Sequence, residues 1–272
     1  FGFLYVPIFV LVCYSFNSSR FAMIWTGFSF RWYAKLFSND DIQSAALNSL
    51  IVAFSAAPLA TIIATFSALV LVRGGNFRAK EFSNGLITLP LMVPEIVTAV
   101  ATLIFFATLG INLGLTNVII AHTVFCIPFA YMPIKAALEA MDPNLELAGR
   151  DLYSDKTSAF RTITLPLLAP GIVSGFMLAF VISIDDFIIT LMVAGGGGTT
   201  LPVYIYSMVK MGVSPEANAV GSLMLAFSIL IVSVYWFFNR TFRWNFSAVA
   251  CSCTYYCSSN IRKNRNICNR NI

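Results

Sequence analysis

Residues 46–72 carry no charged side chain and are mostly apolar. A run of this length exceeds the about 20 residues that a helix needs to cross ~30 Å of hydrocarbon. In lipid, every backbone N–H and C=O of such a segment must be satisfied within the protein, so it spans as an α-helix or as part of a closed barrel. Barrel strands alternate in polarity over segments of ~10 residues, and that pattern is absent. The chain therefore reads as an all-α integral membrane protein. Of its 272 residues, 58% are hydrophobic and 11% charged. Soluble domains carry about 25% charged residues, so the apolar excess is a lipid-facing exterior and not a large core. The net charge of +5 is then a matter of topology; nucleic acid is not an expected partner.

Six spans are expected, at about 1–16, 46–72, 85–109, 115–137, 167–194 and 218–238. The first begins at Phe1 with no initiator Met and no basic leader, so it reads as a truncated span and not as a signal peptide. Residues 17–45 contain Trp25, Trp32 and Tyr33 and are expected on the membrane surface, with a short helix near RWYAKLF. Residues 195–217 are expected as a loop. Only Arg20, Arg31, Lys35 and Lys210 of the 17 Lys and Arg lie on one side of this arrangement. The positive-inside rule then puts the loops 73–84 and 138–166 and both termini in the cytoplasm. Residues 1–240 form one transmembrane domain in this reading. The tail, 241–272, is rich in Ser, Cys, Asn and Arg and lacks periodicity; it is expected to be disordered or to be non-native sequence. Its Cys251, Cys253, Cys257 and Cys268 match no standard zinc spacing, and no metal site is expected. Cys13 and Cys126 lie in apolar helices, as small buried side chains do.

The longest polar interruption between apolar segments is 143–170. Leu145, Ala148, Leu152, Ala159, Phe160 and Ile163 recur there at roughly helical spacing, with Glu146, Arg150, Asp151, Asp155, Lys156 and Arg161 between them. This describes a short amphipathic helix–turn–helix against the membrane.

Three charges fall inside the expected spans: Glu95, Asp185 and Asp186. A charge at mid-bilayer costs at least ~2.5 kcal/mol, so such groups mark function by default. All three are acidic, and no Lys or Arg lies deep in a span to pair with them, which suits a cationic substrate or protons. The alternative is structural: protonated acids, or acids that cap broken helices, with Ser183 and Thr190 as hydrogen-bond partners. Pro90 and Pro94 beside Glu95 favour a broken, water-lined helix. Asp185 and Asp186 point about 100° apart on a helix, so one of them faces a shared cavity fully. His122, the single histidine, is expected to make an interhelical hydrogen bond; a proton relay is the weaker reading. Gly195–Gly198 lacks the Lys-Ser/Thr of a phosphate cradle. No nucleophile–base pairing is present, so no catalytic residue is expected. With no Walker A sequence, the chain itself is not expected to hydrolyse ATP.

The segment ELAGRDLYSDKTSAFRTITLPLLAP resembles the cytoplasmic "EAA" loop of ABC-importer permeases. Ile163, Leu165 and Pro166 match the end of that pattern, and Phe160 holds its aromatic position. Ala148, Asp151 and Leu152 also fit. The front departs: the Glu slot falls on Leu147, with Glu146 one earlier, and Tyr153 stands in the Gly slot. The segments SFNSSRF, WTGFSFRWYAKLFSN, SIDDF and LPVYIYSMVKMGVSPEANA are similar to the spermidine/putrescine permeases of that family, and the likeness runs over about 1–238. The resemblance implies the type I ABC-importer permease fold, six transmembrane helices with a cytoplasmic coupling helix, in a bacterial inner membrane. It implies a complex with a second homologous permease, a cytoplasmic ATPase dimer and an extracytoplasmic polyamine-binding protein. ATP and Mg would sit on the ATPase, with no cofactor on this chain. It implies coupling through Glu146, Ala148, Asp151, Leu152, Ile163, Leu165 and Pro166, and a substrate path past Glu95, Asp185 and Asp186. Two rival readings remain: an ABC permease for another small solute, and a stand-alone ion-coupled transporter.

Overall fold

The computed structural model describes residues 2–19, 24–75, 78–142, 144–145, 155–212 and 215–237. The chain divides into two units, Phe1–Ser228 and Ile229–Ile272; of the second, the helical residues 229–237 are described. The tail 241–272 and the expected coupling positions Glu146, Ala148, Asp151 and Leu152 lie outside the described residues.

Helix α1 is Gly2–Ser15 and α2 is Arg31–Leu36, within the RWYAKLF stretch where a short helix is expected. Helix α3, Asp40–Arg73, runs 34 residues, about 51 Å at 1.5 Å per residue. It starts earlier than residue 46 because Asn39 caps it, its side chain accepting the Asp41 N–H, and because Asp40 and Asp41 favour the positive helix start. Helix α4 is Lys80–Thr88 and α5 is Glu95–Thr108. Helix α6 is Leu115–Ala140, α7 the single turn Lys156–Ala159 and α8 Leu165–Asp185, with a π-helical turn at Phe160–Thr164 between the last two. Helix α9 is Ile188–Val193, α10 is Leu201–Met211 and α11 is Pro215–Phe237.

Among the described residues, four helices are long and apolar enough to cross a membrane: α3, α6, the α7–α8 stretch from Thr157, and α11. A fifth candidate is the α4–α5 pair, bent by 104°. Three expectations change here. The span at 85–109 is not one straight helix. Pro90 and Pro94 interrupt it, and Pro94, without an N–H, stands extended as the N-cap of α5. The span at 167–194 ends as a helix at Asp185, because Asp186 turns to an extended backbone. The loop expected at 195–217 contains α10, whose first turn takes Pro202 and is anchored by the Ser49 hydroxyl accepting the Leu201 N–H at 2.8 Å.

Helices α3, α6 and α8 pack on one another as the core. Lipid offers no hydrophobic drive to bring helices together, so close backbone approach through small residues does this work. Helix α3 buries Ala53, Ala56, Ala57, Ala60, Ala64 and Ala68 along one face and leaves Phe54, Ile62 and Phe66 exposed. On α8, Gly171 and Gly175 form a small-xxx-small pair against α6. A Cβ at Gly171 would stand 2.5 Å from the Ala137 Cβ, and one at Gly175 2.6 Å from the Ala130 carbonyl oxygen.

The residues before α3 fold around Asn17, which is fully buried. Its Nδ2 donates to the Ile24 carbonyl at 2.7 Å, and its Oδ1 accepts the Thr26 N–H at 3.1 Å. The Trp32 indole donates to its backbone oxygen at 2.7 Å. Lys35 reaches Glu216 at 2.6 Å, which ties α2 to the start of α11.

Candidate functional site

Both acid-bearing stretches are places where a helix stops and restarts. Glu95 is the first residue of α5, where the helix dipole favours a negative charge. Asp185 ends α8, and Asp186 and Phe187 bridge to α9. Helix α9 packs against α5 and α6, so the two breaks come together. The Glu95 carboxyl lies within interaction range of that of Asp186.

Asp186 and Asp185 part company, as neighbours 100° apart should. Asp186 is buried while Asp185 is exposed and lies beside Ser228 of α11. The Asp186 Oδ2 atom restarts the chain as a helix: it accepts the Thr190 N–H and the Thr190 hydroxyl, each at 3.1 Å. It also meets the Nε2 of His122 at 3.0 Å. The other ring nitrogen, Nδ1, is 2.9 Å from the Ser183 hydroxyl. One assignment accommodates the contacts: Nε2–H is shared between Asp186 Oδ2 and the Thr190 hydroxyl oxygen, 2.9 Å away, and the Ser183 hydroxyl donates to Nδ1. The imidazole is 1% exposed, so it links α6, α8 and α9 without water.

Thus the acids are not a wholly unpaired set. Asp186 has a partner in His122, which a search for Lys and Arg passes over. The expected interhelical bond of His122 is present; its reach to Asp186 was not legible, because the two lie 64 residues apart in the chain. Thr190 does bond Asp186, whereas Ser183 serves the histidine. The Asp186 Oδ1 atom is buried and receives no hydrogen bond among the described residues. No group of three or more potential metal ligands occurs among them either.

Of the coupling positions, Ile163 lies in the π-helical turn and is half-buried, whereas Leu165 and Pro166 open α8 and are exposed. Helix α8 has 21 residues, or about 31 Å. It carries Leu165 and Pro166, two of the expected coupling positions, at one end and Asp185 at the other.

Known proteins match this arrangement. The sequence profile of the binding-protein-dependent transport system inner membrane component family matches residues 56–245. The spermidine/putrescine transport system permease protein PotC of Haemophilus influenzae is 40% identical over 232 residues, 85% of this chain and 90% of that protein. The putrescine transport system permease protein PotI of Escherichia coli K12 is 39% identical over 243 residues, 87% of this chain and 86% of that protein. Among solved structures, the inward-facing MetNI methionine ABC transporter aligns with a TM-score of 0.63 at 18% identity, covering 75% of this chain and 99% of its own. A bacterial ABC transporter that imports the acidic polysaccharide alginate aligns with a TM-score of 0.66 at 14% identity, over 85% and 89%. At such identities the structures speak for the fold alone, and the fold they share is that of ABC-transporter permeases. A profile match over most of the length and 40% identity to a relative over 85% of the chain agree with the packed helical fold: this chain belongs to the family of inner membrane components of binding-protein-dependent transport systems.

Proposed function

We propose that the chain is the permease subunit of an ATP-driven polyamine importer, with spermidine and putrescine as its substrate class. The observation that carries this reading is the 40% identity to a spermidine/putrescine permease over 85% of the chain. The geometry supports it. Polyamines are flexible polycations, and the helix breaks offer Glu95, Asp185 and Asp186 as carboxylates, while Lys35, Lys135 and Lys210 lie toward helix ends or on the short α2. Attraction to these acids must stay moderate, since a deep well would trap the cation.

In this reading six crossings run with both termini in the cytoplasm. α1 is the first crossing and the bent α4–α5 pair the third. The partners are a second homologous permease, a cytoplasmic ATPase dimer that carries ATP and Mg, and an extracytoplasmic polyamine-binding protein. ATP closes the ATPase dimer, which draws on the coupling segment, Glu146, Ala148, Asp151 and Leu152 through Ile163, Leu165 and Pro166. Helix α8 is the rigid link from that segment to the acids, and the two permeases rock between outward and inward states.

The test is uptake of labelled spermidine and putrescine by a strain without its own polyamine importers, supplied with this permease and its partner subunits. Uptake above background that stops when the ATPase is inactivated is the expected result. Uptake that persists without any ATPase would favour a stand-alone transporter. No polyamine uptake, together with import of an uncharged or anionic solute, would overturn the substrate class.

A further inference from the structure

We propose that His122 is the positioning residue of the substrate path, holding Asp186 across the helix break so that one oxygen stays free, beside Glu95, as the seat for a primary ammonium group. This rests on the polyamine reading above and adds a residue to it.

Three observations carry the inference. First, among the described residues His122 is the side chain that bonds to both sides of the break. Its Nδ1 takes the Ser183 hydroxyl, two residues before the end of α8, and its Nε2 meets Asp186 and the Thr190 hydroxyl, at 2.9 Å, in α9. Second, the ring, the Thr190 N–H and the Thr190 hydroxyl all converge on Oδ2. They fix the carboxyl plane and leave Oδ1 buried without a donor. A buried carboxylate oxygen without a donor is costly, and natural structures keep such an atom where something else supplies the missing bond. Third, the neighbouring acid is Glu95, which is half-buried and whose carboxyl is within side-chain hydrogen-bonding range of Asp186, so the two carboxyls meet either through one shared proton or through a donor placed between them. In place of that proton the pair can take a cationic donor. An ammonium, with three N–H groups, supplies bonds to both carboxyls and relieves their repulsion.

A histidine suits this task better than a lysine. A Lys at position 122 would neutralise Asp186 permanently and occupy the seat with its own ammonium. An imidazole donates to one Asp186 oxygen only and can hold its other nitrogen against Ser183.

The test uses the full transporter in proteoliposomes, with partner permease, ATPase and binding protein. H122N keeps an amide at the Ser183 side but is too short to reach Asp186, and H122Q reaches the Nε2 position. H122N is expected to lower polyamine uptake about tenfold or more, the scale for removing one partner of a buried hydrogen-bonded charge pair. Assembly and basal ATP hydrolysis should stay within about twofold, and H122Q should recover much of the loss. The decisive readout is coupling: in a D186N background, H122N should cost nothing further, since its effect runs through Asp186. Losses from H122N and D186N that multiply would make His122 a packing residue and overturn the proposal, as would full uptake by H122N. Should H122N fail to assemble, the same cycle with H122Q and D186N decides it: H122Q at wild-type rate supports the role, and a loss that multiplies with D186N ends it. A wild-type complex that moves some other solute would sink the polyamine reading alone; the cycle run with that solute still reads the link between His122 and Asp186.

Discussion

At the residue scale, two buried polar side chains are tied down in opposite ways. Asn17 is satisfied on all sides, by Ile24, Thr26 and Ser19 and, at its backbone oxygen, by Trp32. Replacing it with Ala leaves buried groups without partners. N17A should lower stability by about 1–3 kcal/mol, read as an earlier thermal unfolding transition in detergent. Asp186 is satisfied on one oxygen, while its other, buried oxygen receives no hydrogen bond among the described residues. D186N and E95Q should each lower polyamine uptake while leaving assembly intact; unchanged uptake in both variants would remove the acids from the path. The acids were legible in the sequence because charge inside an apolar run stands out. Their surroundings were not. Ser183 and Thr190 could be named as neighbours from their spacing, but His122 sits on another helix, and only packing brings it to Asp186.

At the element scale, α6 and α8 meet through glycine, and the two glycines make different demands. The added Cβ of G171A would meet the Ala137 Cβ at 2.5 Å, a contact that A137G removes. The added Cβ of G175A would meet the Ala130 carbonyl oxygen at 2.6 Å, which belongs to the backbone and has no substitute. Overpacking of this kind costs about 1–3 kcal/mol. G171A should therefore be destabilising and largely rescued by A137G, whereas G175A should be destabilising with no side-chain rescue. Thermal unfolding of G171A and G175A in detergent, each alone and combined with A137G, checks this, and equal rescue at both positions would contradict the packing described. The helix breaks sit at this scale too. Pro90 and Pro94 announced the first one. The second carries no proline; it is made by Asp186 taking the Thr190 N–H, and apolar periodicity on both sides hid it. Helix α10 was missed for a related reason. Its glycine-rich lead-in reads as loop, while its start is fixed by Ser49 of α3, a tertiary contact.

At the scale of the whole molecule, the proposed orientation makes a direct prediction. With the native cysteines removed, a cysteine at Gly196 should react with an impermeant maleimide in intact cells, and one at Ala79 only after permeabilisation. The reverse pattern would invert the topology and put the coupling segment on the wrong side for an ATPase. The sequence by itself determined that the chain is helical and membrane-embedded, because long apolar runs have no other stable form in lipid. It also determined where the acids lie along the chain, and the resemblance of its loops led to the family that the comparisons then showed. Tertiary structure decided what those acids become. Hydropathy is a sum along one segment and is blind to the neighbour across the interface. The bend of 104° between α4 and α5, the restart of the chain at α9 and the His122 ring between three helices all depend on such neighbours. They turn three scattered acids into Asp186 clamped on one oxygen beside Glu95, with Asp185 left exposed at the C-terminal end of α8.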